Sequence, residues 1–176
     1  MPPPTTTVFN NLFSDLLGTA GAGTGQAGKP APAQALSHAV LHTPIRAPAA
    51  DGEGEALFGC GCFWGAEKGF WRLPGVVTTA VGYAGGQGAA PSYEQVCSGR
   101  TGHAEVVRVV WNRERIDFSD LLKLFWECHD PTQGNRQGND RGSQYRSAIF
   151  VNDPELLKLA LSSREAYAAL LASAGH

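Results

Sequence analysis

Where the apolar patterning begins is the strongest constraint on how this chain folds. Before residue 56 the sequence is rich in Gly, Ala, Pro and Thr, as in GTAGAGTGQAGKPAPAQ, and poor in aromatic residues. Such a stretch buries too little apolar area to offset the entropy of ordering it. Residues 1–55 are therefore expected to form a largely irregular, flexible N-terminal arm, with short order around Val8–Leu17 and Leu36–Ile45. Residues 56–176 carry the texture of one folded domain. Ala56–Gly61 reads as a short buried strand, Gly65–Trp71 as a helix closed by LPG, and Val76–Tyr83 as a β-branched strand. YAGGQGAAPS reads as a Gly/Pro loop. AEVVRVVW at 104–111 is a strand dense in valine. Phe118–His129 places Leu121, Leu122, Leu124, Phe125 and Cys128 on a helical period. Tyr145–Val151 is strand-like, and Asp153–Pro154 opens a helix that runs to about Ala172. The order β-α-β-β-α-β-α predicts an α+β fold. It is expected to be a ferredoxin-like split βαβ plait with a mixed, mostly antiparallel sheet and helices on one face.

Charge and composition exclude several classes of function. The net charge is −2 and the pI about 6.2, so nucleic acid and anionic membrane surfaces are not expected partners. No run approaches the ~20 apolar residues of a membrane helix. The first lysine is Lys29, so the N-terminus lacks the charged start of a signal peptide. A cytoplasmic protein is expected, in which thiols stay reduced. Cys60, Cys62, Cys97 and Cys128 then do not constitute a disulfide framework. Cys60 and Cys62 stand too close for a zinc knuckle, and His103 and His129 have no matching spacing. No metal and no cofactor is expected.

GCGCFWGAEKGFW, at 59–71, sets a thiol at the joint between a strand and a helix. A helix N-terminus offers unpaired N–H groups and partial positive charge, which stabilise a thiolate at Cys62. Gly61 and Gly65 let the backbone turn sharply there, and Phe63 and Trp64 supply an apolar wall. From spacing alone, a packed core thiol is the favoured reading of Cys62. Strand alternation puts Glu105 on one face with Val107, Val109 and Trp111. An acid on an apolar face has a raised pKa and can donate a proton; an acid at a strand end can equally lie in solvent.

Longer motifs go further. GCFWG at 61–65, GYAGG at 82–86, YEQVCSGRTGHAE at 93–105 and HDPTQGNRQGNDRGSQYRSAI at 129–149 together resemble type A peptide methionine sulfoxide reductases. The resemblance covers residues 56 to about 175. It implies that Cys62 is the nucleophile and Glu105 the acid, with Tyr93, Asp140 and Tyr145 forming a polar shell around the sulfoxide oxygen. Phe63 and Trp64 match residues that hold the substrate's S-methyl group. The implied substrate is the S epimer of methionine sulfoxide, free or in oxidised proteins, reduced by attack of the Cys62 thiolate to leave a sulfenic acid. Thioredoxin or a small thiol is the implied reductant, and a monomer is expected.

In that family the chain continues past a point like His176 into a further strand, a helix and a resolving cysteine. No residue of this sequence matches that cysteine, so an intramolecular disulfide of the usual kind is not expected. Cys60 lies about 6.6 Å from Cys62 along a strand, at the edge of disulfide reach. Two other functions compete on the sequence alone: a thiol-based redox sensor or peroxidase, and a non-catalytic binder of oxidised methionine.

Overall fold

The structure is a computed structural model that describes residues 36–88 and 90–175. The segment Val8–Leu17 lies outside them. In chain order the elements are β1 (Glu53–Cys60), α1 (Phe63–Phe70), β2 (Val76–Ala84), α2 (Tyr93–Cys97), β3 (Ala104–Asn112), α3 (Phe118–Glu127), β4 (Arg136–Gln137), β5 (Asp140–Arg141), a 3₁₀ turn (Ser143–Tyr145), β6 (Ser147–Phe150) and α4 (Pro154–Ser173). The main sheet has the order β2-β3-β1-β6, and β4 with β5 makes a separate small hairpin.

All three pairings in the main sheet are antiparallel, which corrects the expectation of a mixed sheet. The reason is topological. β1 and β2 run the same way, but β3 is inserted between them, so these two strands never pair. Phe58 faces Val107 on one side and Ile149 on the other, which sets the register of the three inner strands.

One face of this sheet carries the main core. Ala56, Phe58 and Cys60 of β1 join Val107, Val109 and Trp111 of β3 and Ile149 of β6, following the period of two. Phe63, Ala66 and Phe70 of α1 and Leu121, Leu122 and Phe125 of α3 cover them. Phe58 is fully buried and stacks on Phe70 at 4.7 Å between ring centroids. Burying a side chain of that size contributes roughly 1.5–3 kcal/mol. The opposite face holds a smaller cluster of Leu57, Ala84, Ala104, Val106, Ala148 and Phe150. The last helix packs on α3, where the Trp126 indole N–H donates to Ser163 Oγ at 3.0 Å and the ring stacks on Tyr167.

Residues 36–52 belong to the expected arm, in which the sequence predicts short order around Leu36–Ile45, and they cross the edge of the sheet at β2. Ser37 and Pro44 form a bridge, and Thr43 Oγ1 donates to the Val77 carbonyl at 2.8 Å. His38 Nδ1 accepts the N–H groups of Val40 and Leu41, so its Nε2–H donates to Thr79 Oγ1 at 2.8 Å, and that hydroxyl donates to Glu67. Arg108 pairs with Glu55 and donates to the carbonyls of Ile45 and Ala47 at 2.8 and 2.7 Å. Polar anchors, which composition does not register, hold the segment, and it covers strand groups that would otherwise be open at the edge.

Candidate active site

The site is built at the turn from β1 into α1. Gly61 adopts φ +84°, a conformation that L side chains rarely take. A Cβ at Gly61 would lie 2.6 Å from both Cβ and Cγ of Gln137, so the β4–β5 hairpin is packed directly on the turn. Cys62 then takes φ −59° and ψ 120° as the N-cap of α1, and its side chain makes no capping hydrogen bond. Cys62 is partly exposed and stands at the positive end of the helix. Gly61→Ala is expected to destabilise the chain by at least about 1–2 kcal/mol from the left-handed backbone alone, with the Gln137 clash added. Gly52 has φ +82°, and a Cβ placed there would meet nothing within 4 Å, so Gly52→Ala isolates the backbone part. Urea unfolding should rank Gly61→Ala clearly below Gly52→Ala; equal losses would mean that Gln137 does not press on the turn.

The acid sits beside this turn. Glu105 is only 3% exposed, and its Oε2 accepts the Phe63 N–H at 3.2 Å. The bond fastens the carboxyl to the first turn of the helix that Cys62 caps. Burial raises the Glu105 pKa above the usual carboxylate value. The Phe63 N–H opposes that rise and the charge of Asp140 adds to it. A carboxyl in that state is suited to give up a proton to a neighbouring oxide.

Tyrosines surround the acid. Tyr145 ends the 3₁₀ turn, and burial first, then the charges of Glu105 and Asp140, push its pKa up. Tyr93 opens α2 and is 59% exposed. A hydrogen bond with Cys97, one turn on, pushes its hydroxyl up to about 12, with smaller contributions from Tyr145 and Glu105. Asp140 opens β5 on an exposed corner, near enough for its charge to act on both Glu105 and Tyr145. The structure therefore brings Cys62, Phe63, Glu105, Tyr93, Asp140 and Tyr145 into one neighbourhood. Phe63 is 9% exposed, whereas Trp64 is 73% exposed and meets the Phe63 ring edge-on at 5.9 Å. The aromatic wall thus has one buried ring and one at the rim.

Sequence reasoning missed Tyr83. It lies directly opposite Glu105 in the β2–β3 register and packs on Phe63 at 5.8 Å between centroids. Burial and the Glu105 charge raise its pKa too. A signal was available in the antiparallel pairing of GYAGG with the start of AEVVRVVW, but register cannot be fixed from either strand alone. Among the described residues, a group near enough to hold a metal is made of Cys60, Cys128 and His129, none of them in the constellation above.

Known proteins resemble this chain in sequence and in fold. A family model described as peptide methionine sulfoxide reductase matches residues 54–172. A peptide methionine sulfoxide reductase MsrA of Salinispora arenicola is 61% identical over 138 residues, which are 78% of this chain and 63% of that protein. The mitochondrial peptide methionine sulfoxide reductase of Bos taurus is 55% identical over 141 residues, 80% of this chain and 60% of that one. Among solved structures, methionine sulfoxide reductase A of Corynebacterium diphtheriae superposes with a TM-score of 0.74 at 46% identity, covering 84% of this chain and 71% of that chain. The chain spans 60–63% of the length of these two curated relatives.

Proposed function

The chain belongs to the peptide methionine sulfoxide reductase family, and from that premise we propose that it reduces the S epimer of methionine sulfoxide, free or in oxidised proteins, to methionine. The observation that carries this reading is the Phe63 N–H to Glu105 bond of 3.2 Å, which ties a buried acid to the turn that presents Cys62. The substrate group is a polar S–O bond beside an apolar methyl. Phe63, with Trp64 at the rim, offers the methyl an aromatic wall. Tyr93, Tyr145 and Glu105 offer the oxygen hydrogen bonds. The Cys62 thiolate attacks sulfur while Glu105 protonates the oxide, which turns a poor leaving group into a good one. One sulfoxide and one thiol thereby become one thioether and one sulfenic acid at Cys62. Thioredoxin or a small thiol then returns Cys62 to the thiol. A reducing compartment, the cytoplasm, in which thiols stay reduced, is part of the same proposal.

The order β2-β3-β1-β6, with a helix joining β1 to β2 and another between β3 and β6, also supports a ferredoxin-like plait as the frame of the sheet.

The test is a single turnover. Reduced chain, freed of reductant, is mixed with excess methionine S-sulfoxide, and about one methionine per chain is expected in a burst. The R epimer should yield none. Peroxide consumed without any methionine from the S epimer would instead mark a thiol peroxidase and overturn the reading. Binding of the sulfoxide without a burst would mark a non-catalytic binder and overturn it equally.

A further inference from the structure

A second thiol cluster lies outside the constellation assigned to sulfoxide reduction. Cys60 points into the main core from the last position of β1 and is 6% exposed. Cys128 caps the C-terminus of α3 and is exposed. The sulfurs of both and a ring nitrogen of His129 lie within 4.8 Å of one another. His129 Nδ1 is 2.7 Å from the Phe125 carbonyl, which can only accept, so Nδ1 carries hydrogen. Nε2 then accepts from the Ser147 hydroxyl, also at 2.7 Å. The ring is fixed from both ends, and Cys128 Sγ is 3.9 Å from the Nδ1 side. A nitrogen that carries hydrogen and is held against a carbonyl is a poor metal ligand, so the cluster is arranged for thiol chemistry rather than for a cation.

Two thiols whose sulfurs lie within 4.8 Å of each other, one residue exposed and one buried, can serve as a nucleophile with a resolving partner behind it. We propose that Cys128 and Cys60 are a redox-active dithiol that exchanges with small disulfides. The Cys128 thiolate attacks one sulfur of a disulfide RSSR, which forms a mixed disulfide and releases RS⁻. Cys60 then attacks the Cys128 sulfur, its proton leaves with the second RS⁻ as RSH, and a Cys60–Cys128 bridge remains. The first RS⁻ takes up the proton that Cys128 lost on ionising, so in sum the dithiol gives up two electrons and two hydrogens and RSSR becomes two RSH. The electrostatics agree with these roles. Hydrogen bonding from Cys60 and then His129 holds Cys128 down, to about 5, whereas burial first, and then Cys128, push Cys60 well up. The exposed sulfur is therefore the thiolate that attacks, and the buried one keeps its proton until the mixed disulfide has formed.

The experiment uses the full chain carrying Cys62→Ser and Cys97→Ser, which leaves Cys60 and Cys128 as its only cysteines. Its outcome is independent of whether the chain reduces sulfoxides, because Cys62 is absent. Reduced protein is treated with bis(2-hydroxyethyl) disulfide and followed by intact mass and peptide mapping. The expected product has lost two hydrogens, maps to a Cys60–Cys128 bridge, and is reversed by dithiothreitol. Adding Cys60→Ala should stop the reaction at a stable mixed disulfide on Cys128. Adding Cys128→Ser should slow it by at least about tenfold, since a buried, protonated Cys60 is a poor first nucleophile. The proposal is overturned if the mixed disulfide accumulates on Cys128 while Cys60 is intact. It is also overturned if the Cys128→Ser chain reacts as fast as its parent.

Discussion

Cys62→Ser is expected to lower the single-turnover rate of methionine release by roughly 10⁴-fold or more, because a serine hydroxyl stays protonated where a thiol ionises. The structure lets this loss be separated from misfolding. Cys62 is the N-cap of α1 and makes no side-chain capping bond. Serine is among the better N-cap residues and can accept the free N–H groups of the first turn, worth about 1 kcal/mol where the bond forms. The serine chain should thus unfold at the same temperature as its parent or slightly above it, while being inert. Cys60→Ser is expected to keep the first turnover, since Cys60 points into the core on the far side of Gly61. Methionine released at close to one equivalent by the Cys62→Ser chain would remove Cys62 from the mechanism.

How legible this site is depends on what fixes each residue. The positions of Cys62 and Glu105 can be read from the sequence because each is set by local structure, a strand-to-helix joint marked by glycines in one case and strand alternation in the other, whereas the roles proposed for them come from the resemblance of the longer motifs. The strands and long helices are legible for the same reason. AEVVRVVW and the Leu121–Phe125 stripe carry their own periods, and both lie in the main core or its sheet. The small elements are less legible. Ser92 and Gln95 form a capping box in which Gln95 Oε1 accepts the Ser92 N–H at 2.8 Å, yet α2 is only five residues long and has no apolar period to announce it. The β4–β5 hairpin has two residues per strand, and side chains hold it: Gln137 exchanges bonds with the backbone of Asp130 at 3.2 and 3.0 Å. Asp140 is carried on that hairpin, so its position follows from single side-chain bonds and from the packing of Gln137 on Gly61, none of which an apolar period announces. The anchoring of residues 36–52 depends on His38 and Arg108, single polar side chains reaching across tens of residues. Pattern reading captures what repeats; these contacts occur once.

Glu105 supplies the second large effect, and it separates two kinds of contribution from one side chain. Glu105→Ala removes both the proton and the hydrogen bond to the oxide and should slow reduction by about 10²–10⁴-fold. Glu105→Gln should be slowed less. Its carbonyl oxygen can still accept the Phe63 N–H, which leaves the amide N–H₂ to donate to the sulfoxide oxygen. The pH dependence gives a further check. Burial raises the pKa of Glu105 in the folded chain. The proton it donates is therefore present at low pH and lost as pH rises through that raised value, and the parent's acid-dependent rate should fall over the same interval. The glutamine chain has no such group and should lack that fall. Stability follows the same sign. A carboxyl whose folded pKa lies above its unfolded value favours folding most when protonated, below about pH 4, and loses that advantage as pH rises through the folded value. Neutral glutamine escapes the burial of charge, so its stability relative to the parent should increase from about pH 4 to about pH 7 by thermal melting. If the glutamine and alanine chains both reduce the S-sulfoxide at the parent's rate, Glu105 is not the acid. If the stability difference is flat with pH, the buried carboxyl is not titrating where its environment requires.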